Sequence, residues 1–312
     1  MKPILIILIT LFAFSQYSKA QQTYDWEHGA VEGVKLNTVT FRAWLPKSDD
    51  PIRGTLILIP GRHGDGRGMA ETSDWQEVAE SVNFAIMACQ FADGDKYLYQ
   101  NDSDQILCGV VDEALMKLAK LSGHEEIGVA PVAFWGTSAG SNFSSHYCNY
   151  KSKRVAAFAS SKGTFGPNHI NSRAKSYIPM FFAIGKNDRK EWVDVSLKNY
   201  NESRNSQSPW TLALHPAEGH GVGKSKALAQ AWLTSVLRQR LGLPPNEQRT
   251  PSRPSSLSSN KMKPIKVKEG WLGDPETLEI AAYNDFKKRK KEATWLPDEN
   301  VALAWKAYLI SE

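Results

Sequence analysis

Residues 129–141 read VAPVAFWGTSAGS, which sets Ser138 between Gly136 and Gly140 directly after a short apolar run. In the pattern Gly-x-Ser-x-Gly, a sharp strand-to-helix turn lifts a serine hydroxyl above the end of a parallel sheet. A Cβ at either glycine would crowd the strand or the helix packed against it. The pattern alone is weak, because a chain with 22 glycines can produce it by chance. Its flanks give it weight: 132–135 reads as strand and 141–150 can continue as helix, so Ser138 is the candidate nucleophile.

Working outward, 38–45 alternates well enough for a strand, and 55–59 is a continuous apolar run of the kind buried on both faces. Further strands are predicted at 84–89, 155–159, 177–184 and 210–215. Ser73, three residues before Gln76, makes a capping box for a helix to about residue 82. Helical spacing recurs over 105–121, closed by Gly123, and over 191–201 and 224–241. Strands separated by helices predict an α/β fold, a mostly parallel sheet covered on both faces. The domain expected to carry the chemistry spans 21–243.

Residues 244–264 differ in character, with five prolines and few apolar side chains, and read as a linker or surface strap. The tail, 265–312, regains structure potential, with helices predicted at 281–292 and 298–310. Its 48 residues are marginal alone, so it is expected to pack on the main domain as a small helical extension. The basic run Lys287, Lys288, Arg289, Lys290, Lys291 reads as a solvated helix face.

The first twenty residues have the marks of a signal peptide: Lys2, an apolar stretch over 4–14, and Ser18-Lys19-Ala20 before the cleavage point. The expected location is therefore secreted or periplasmic, with no membrane span after processing. Loss of Lys2 and Lys19 takes the net charge from +5 to +3, which argues against a nucleic-acid partner. Cys89, Cys108 and Cys148 are an odd number, and spacing leaves open a pair between Cys89 and Cys108. Cys148 reads as a buried structural thiol.

A serine hydroxyl needs a neighbouring base. In this type of fold the chain order is serine, acid, histidine, with the last two in loops after later strands. His220, in Glu218-Gly219-His220-Gly221, follows the last strand of that domain and fits the base. His215 lies within the strand, His169 precedes the strand that delivers the acid, and His146 sits on the helix after Ser138. Asp188 follows the 177–184 strand and can hold the imidazole in one tautomer, with Asp194 and Glu191 as alternatives. The oxyanion of an acyl intermediate needs backbone donors: Ala139 at the helix start, and Arg62, or second His63, after the 55–59 strand. The bland alternatives are a tight-turn serine, a capping histidine and a surface aspartate.

These features together resemble the α/β-hydrolases, and within them the secreted esterases grouped with polyhydroxybutyrate depolymerases and feruloyl or acetylxylan esterases. The resemblance rests on Pro60-Gly61, Gly136-Thr137-Ser138-Ala139-Gly140, Asp188 after Gly185, and Gly219-His220-Gly221, over about 38–241. It implies Ser138 as nucleophile, Asp188 as acid, His220 as base, amides of Arg62 and Ala139 for the oxyanion, and neither metal nor organic cofactor. Two departures stand out: Ser141 replaces a third glycine found in many relatives, and Arg62-His63 is bulky and charged, so both put polar groups near the acyl site. Only 17 residues separate the strands ending at 159 and starting near 177, which leaves no room for a large lid. The expected substrate is an ester on a polymeric glycan, of feruloyl or acetyl type. The alternatives are a polyester and, without catalysis, a glycan-binding protein on a hydrolase scaffold. Asn101, Trp192, Trp210, Trp271 and Trp295 are candidates to line the site.

Overall fold

A computed structural model describes residues 22–32, 34, 36–93, 106–163, 178–204, 208–244 and 262–311. The expected signal peptide, Asn101, His169, most of the expected 244–264 linker and most of the segment where a lid would sit fall outside the described residues.

Among the described residues, eight strands form one sheet: β1 (Gln22–Gly29), β2 (Leu36–Leu45), β3 (Gly54–Ile59), β4 (Phe84–Asp93), β5 (Val132–Thr137), β6 (Val155–Ser161), β7 (Met180–Gly185) and β8 (Trp210–His215). Their spatial order is β1-β2-β4-β3-β5-β6-β7-β8. Only β2 runs against the others, pairing antiparallel with β1 and with β4, while the pairs from β4 to β8 are parallel. The parallel strands read as apolar runs because both of their faces are covered. Along them side chains alternate between two cores: Ile57, Ile59, Val132 and Phe134 point to one, Leu56, Leu58, Ala133 and Trp135 to the other.

Helices α2 (Ile106–Ser122), α3 (Ala139–Tyr150) and α4 (Lys190–Arg204) contribute to the first core; α1 (Ser73–Val82) and α5 (Ser225–Leu241) contribute to the second. Thr72, not Ser73, is the cap of α1, with no side-chain capping bond, and Gln76 instead donates to the Ala70 carbonyl at 3.0 Å. The capping box is therefore not formed. The three cysteines are buried free thiols, so the Cys89–Cys108 pair is absent, and burial raises the pKa of Cys89 and Cys148.

The C-terminal extension builds a second, three-stranded sheet from β9 (Trp271–Gly273), β10 (Ile280–Ala282) and β11 (Thr294–Leu296), followed by helix α6 (Glu299–Leu309). The helix expected at 281–292 does not form, because Ile280–Ala282 is extended and paired with β9, and turns follow it. Nor is the basic run a helix face: Lys288 bonds Asp274 at 2.7 Å and Arg289 bonds Glu292 at 2.7 Å. Helix α6 matches its expectation within a residue and is capped by Asp298, whose carboxylate accepts from the Val301 N–H at 2.8 Å.

The extension covers the second core and the open edge at β8. Leu212 N–H donates to Thr294 Oγ1 at 2.7 Å, and the Trp305 indole donates to the Leu212 carbonyl at 2.7 Å. An uncovered edge strand would offer those groups to another chain. Trp210 and Trp295 are 1% and 0% exposed, so both are core residues and line no site. Trp271 pairs within the small sheet.

Candidate active site

Ser138 sits between β5 and α3 with φ 48° and ψ −117°, a backbone conformation that side-chain-bearing residues rarely adopt. The surroundings leave it no alternative. A Cβ on Gly140 would lie 2.4 Å from the carbonyl oxygens of Ile59 and Pro60, so the helix start and the end of β3 touch backbone to backbone. The Ser138 N–H is held by the Ser161 carbonyl at 2.9 Å, and the Ser138 carbonyl accepts from Ser141 and Asn142 at 3.0 and 3.2 Å. Ser141 is fully buried and its hydroxyl turns back to the Gly136 carbonyl, so it braces the turn instead of presenting a polar group to an acyl group.

The strained turn aims the Ser138 hydroxyl at His220. Ser138 Oγ lies 2.8 Å from His220 Nε2, and His220 Nδ1 lies 2.7 Å from Asp188 Oδ2. A carboxylate only accepts, so Nδ1 carries the proton toward Asp188 and Nε2 is left to accept from the serine. The Asp188 side chain is 6% exposed and that of His220 40%, which puts the carboxylate behind the imidazole and the imidazole at the surface. Asp188 stands on the turn after β7, where its N–H bonds the Gly185 carbonyl at 3.1 Å. Asp194 instead pairs with Lys190 on the exposed side of α4. His215 is 1% exposed, and its Nδ1 accepts from Ala217 and Glu218 N–H groups at 3.2 and 3.0 Å.

Of the two residues expected to supply oxyanion donors, Ala139 follows the serine directly and Arg62 belongs to the loop after β3. Ala139 opens α3, where backbone N–H groups lack intrahelical acceptors. Arg62 follows Gly61, and a Cβ on Gly61 would lie 3.5 Å from that of Ser138. The Arg62 and His63 side chains are exposed, and His63 has φ 60°.

Trp192, at the start of α4, lies with its ring 4.9 Å from the His220 ring, and the Arg189 guanidinium covers it at 4.4 Å. Sequence reasoning singled out Trp192 among several tryptophans without grounds to prefer it, and it missed Arg189. It also missed Glu218, although that residue is part of the stretch quoted for His220. The Glu218 carboxylate accepts from Lys162 Nζ and from the Tyr308 hydroxyl, each at 2.6 Å. Burial raises its pKa, but these two donors and the Lys162 charge outweigh that and hold it below the ordinary value of 4.5.

Strand order, the single reversed strand and helices on both faces define the α/β-hydrolase fold. Among solved structures the chain is similar to a ferulic acid esterase, with 16% identity, a TM-score of 0.50, and coverage of 70% of this chain and 99% of that one. It is similar also to an S-formylglutathione hydrolase from Agrobacterium tumefaciens, with 14% identity, a TM-score of 0.51, and 70% and 99% coverage. A poly(3-hydroxybutyrate) depolymerase from Bordetella parapertussis shares 14% identity at a TM-score of 0.50, over 70% of this chain and 88% of that one. At such identities the likeness is one of fold. No family model matches the sequence, and no curated protein matches it.

Proposed function

We propose that the chain is a serine carboxylic-ester hydrolase with Ser138 as nucleophile, His220 as general base and acid, and Asp188 as the group that orients the imidazole. The observation that carries this reading is the run of contacts from Ser138 Oγ through His220 to Asp188, at 2.8 and 2.7 Å, above the end of a parallel sheet. His220 Nε2 takes the hydroxyl proton as Ser138 Oγ bonds to the ester carbonyl carbon. The carbonyl π electrons move to oxygen, where the amides of Ala139 and Arg62 are assigned to receive the charge. Collapse breaks the bond to the alcohol oxygen, which leaves with the proton from His220. Water then gives its proton to the same nitrogen, attacks the acyl carbon and releases the acid, and Ser138 regains its hydrogen. Asp188 stays ionised throughout.

The proposed substrate is an ester substituent on a polysaccharide, feruloyl or acetyl, met outside the cytoplasm after removal of the 1–20 leader. Trp192 supports this, since an aromatic ring beside the base can stack on a sugar or a phenolic acyl group. The domain division proposed with it is a catalytic unit over 21–243, a linker over 244–264 and a packed extension over 265–312.

The test is a panel of feruloylated, acetylated and methyl-esterified glycans beside an aliphatic polyester, with labelling of Ser138 by an organophosphorus probe. Ser138→Ala and His220→Ala are each expected to lower turnover on the order of 10⁴-fold or more. An unchanged rate in either variant would sink the assignment. A protein that binds glycan, takes no label and turns over no ester is a binding protein instead. Turnover of the polyester alone moves the substrate to that class.

A further inference from the structure

Lys162 is a lysine where a lysine is costly. It follows the last residue of β6, is 3% exposed and holds φ 58°. Its N–H donates to the Ala183 carbonyl at 2.9 Å, so the backbone there is bound to β7, the strand that delivers Asp188. A buried ammonium needs a partner, and Lys162 finds it in Glu218, two residues before His220. Burial lowers the lysine pKa, while Glu218 and, through space, Asp188 pull it back.

Glu218 spreads its carboxylate over three elements. One oxygen accepts from Lys162 Nζ and from Tyr308 of α6, each at 2.6 Å. The other accepts from the Lys224 N–H at 3.0 Å, on the far side of His220 in the chain. The carboxylate thus ties both ends of the loop that holds the imidazole. The backbone of the same residue meets the Asp188 turn: the Glu218 carbonyl accepts from Asn187 N–H at 3.0 Å, and a Cβ on Gly185 would lie 2.3 Å from that carbonyl oxygen. The ring of Tyr308 lies 4.8 Å from that of His215, at the root of the loop.

We infer that Lys162, Glu218 and Tyr308 are positioning residues that hold His220 and Asp188 in register, and that the C-terminal extension takes part in catalysis through Tyr308. The inference rests on the proposed esterase reading. None of the three needs to touch substrate. An imidazole at the surface, in a loop without that tie, would sample positions in which Nε2 no longer meets Ser138 Oγ. Misplacement of about 1 Å costs up to on the order of 10²-fold in rate.

The experiment compares wild type, Tyr308→Phe and Glu218→Ala as full-length proteins. The number of sites that take an organophosphorus label is counted, and kcat per labelled site and KM are measured on one small activated ester. Tyr308→Phe keeps the ring on His215 and removes only the hydroxyl. It is expected to lower kcat per site about tenfold, and Glu218→Ala about a hundredfold, with KM within about twofold. A purely structural role would instead reduce the number of labelled sites and leave the rate per site unchanged, and that result would overturn the inference.

The low-field proton signal of His220 Nδ1–H, assigned by its loss in His220→Gln, is followed in parallel. It is expected to broaden or vanish in both variants. If wild type takes no label, the esterase reading fails, and the proton signal alone decides the positioning: an unchanged signal in Tyr308→Phe and Glu218→Ala refutes it.

Discussion

Asp188 reaches His220 from a turn, with its side chain almost fully buried. Its worth in the proposed mechanism lies in geometry and charge together. An amide in the same place fits the space, yet it can offer N–H where the imidazole also offers N–H. The ring must then flip its tautomer or turn away, and Nε2 ceases to be an acceptor for Ser138. Asp188→Asn is therefore expected to lower kcat by about 10⁴-fold while leaving thermal unfolding close to wild type. Steady-state rates on a small activated ester check it, and a loss below about tenfold would remove Asp188 from the mechanism. Ser138 makes the complementary case, since its strained backbone persists only because Gly140 lets α3 close onto the end of β3.

The extension carries its own local device at Asp274. The carboxylate accepts from the N–H groups of Glu276 and Thr277 at 2.8 and 3.0 Å and from Lys288 Nζ at 2.7 Å, which closes the turn between β9 and β10. Burial raises its pKa, but these donors dominate and bring it from 3.8 to about 2. A carboxylate depressed on folding stabilises fully above its unfolded pKa, and that contribution fades as pH falls through the folded value. Asp274→Asn is accordingly expected to lower Tm at neutral pH, with the gap to wild type narrowing between pH 3.8 and about 2. Thermal melts across that range test it, and a gap independent of pH would exclude the linkage. This turn also explains why the region was illegible in sequence. Ala281, Ala282 and the following lysines favour a helix locally, yet pairing with β9 and the anchoring of Lys288 override that preference. Strands of three residues are too short to show alternation. By contrast β3, β5 and β7 are buried along their whole length, so apolar runs reveal them. The candidate residues Ser138, Asp188 and His220 were picked out by their place in the chain, after β5, β7 and β8. Lys162 gave a faint signal, a lone cation closing the apolar run of β6, whereas nothing near Tyr308 points to Glu218.

At the scale of the molecule, the extension and the hydrolase sheet share one core. Leu272, Trp295, Leu296 and Trp305 are all 0% exposed and pack with Trp232 and Phe181 of the main sheet and α5. The Trp305 indole and Thr294 hydroxyl meanwhile satisfy the backbone of Leu212 on the edge strand. Removing Trp305 thus opens a cavity and leaves a buried carbonyl without its donor. Trp305→Ala is expected to cost about 3–5 kcal/mol, on the order of 10 °C in Tm. Deletion of 265–312 goes further, since it bares an apolar face and frees the edge of β8 for pairing between chains. The truncated chain is expected to bind hydrophobic dyes and to form oligomers that grow with concentration, measured by light scattering. A truncated chain that stays monomeric and keeps wild-type Tm would show that the tail is an accessory. If it then hydrolysed small esters at full rate and failed only on polymer, the tail would belong to substrate binding. The shared core and the tie from Tyr308 to Glu218 argue for the opposite outcome, in which stability and small-ester turnover fall together.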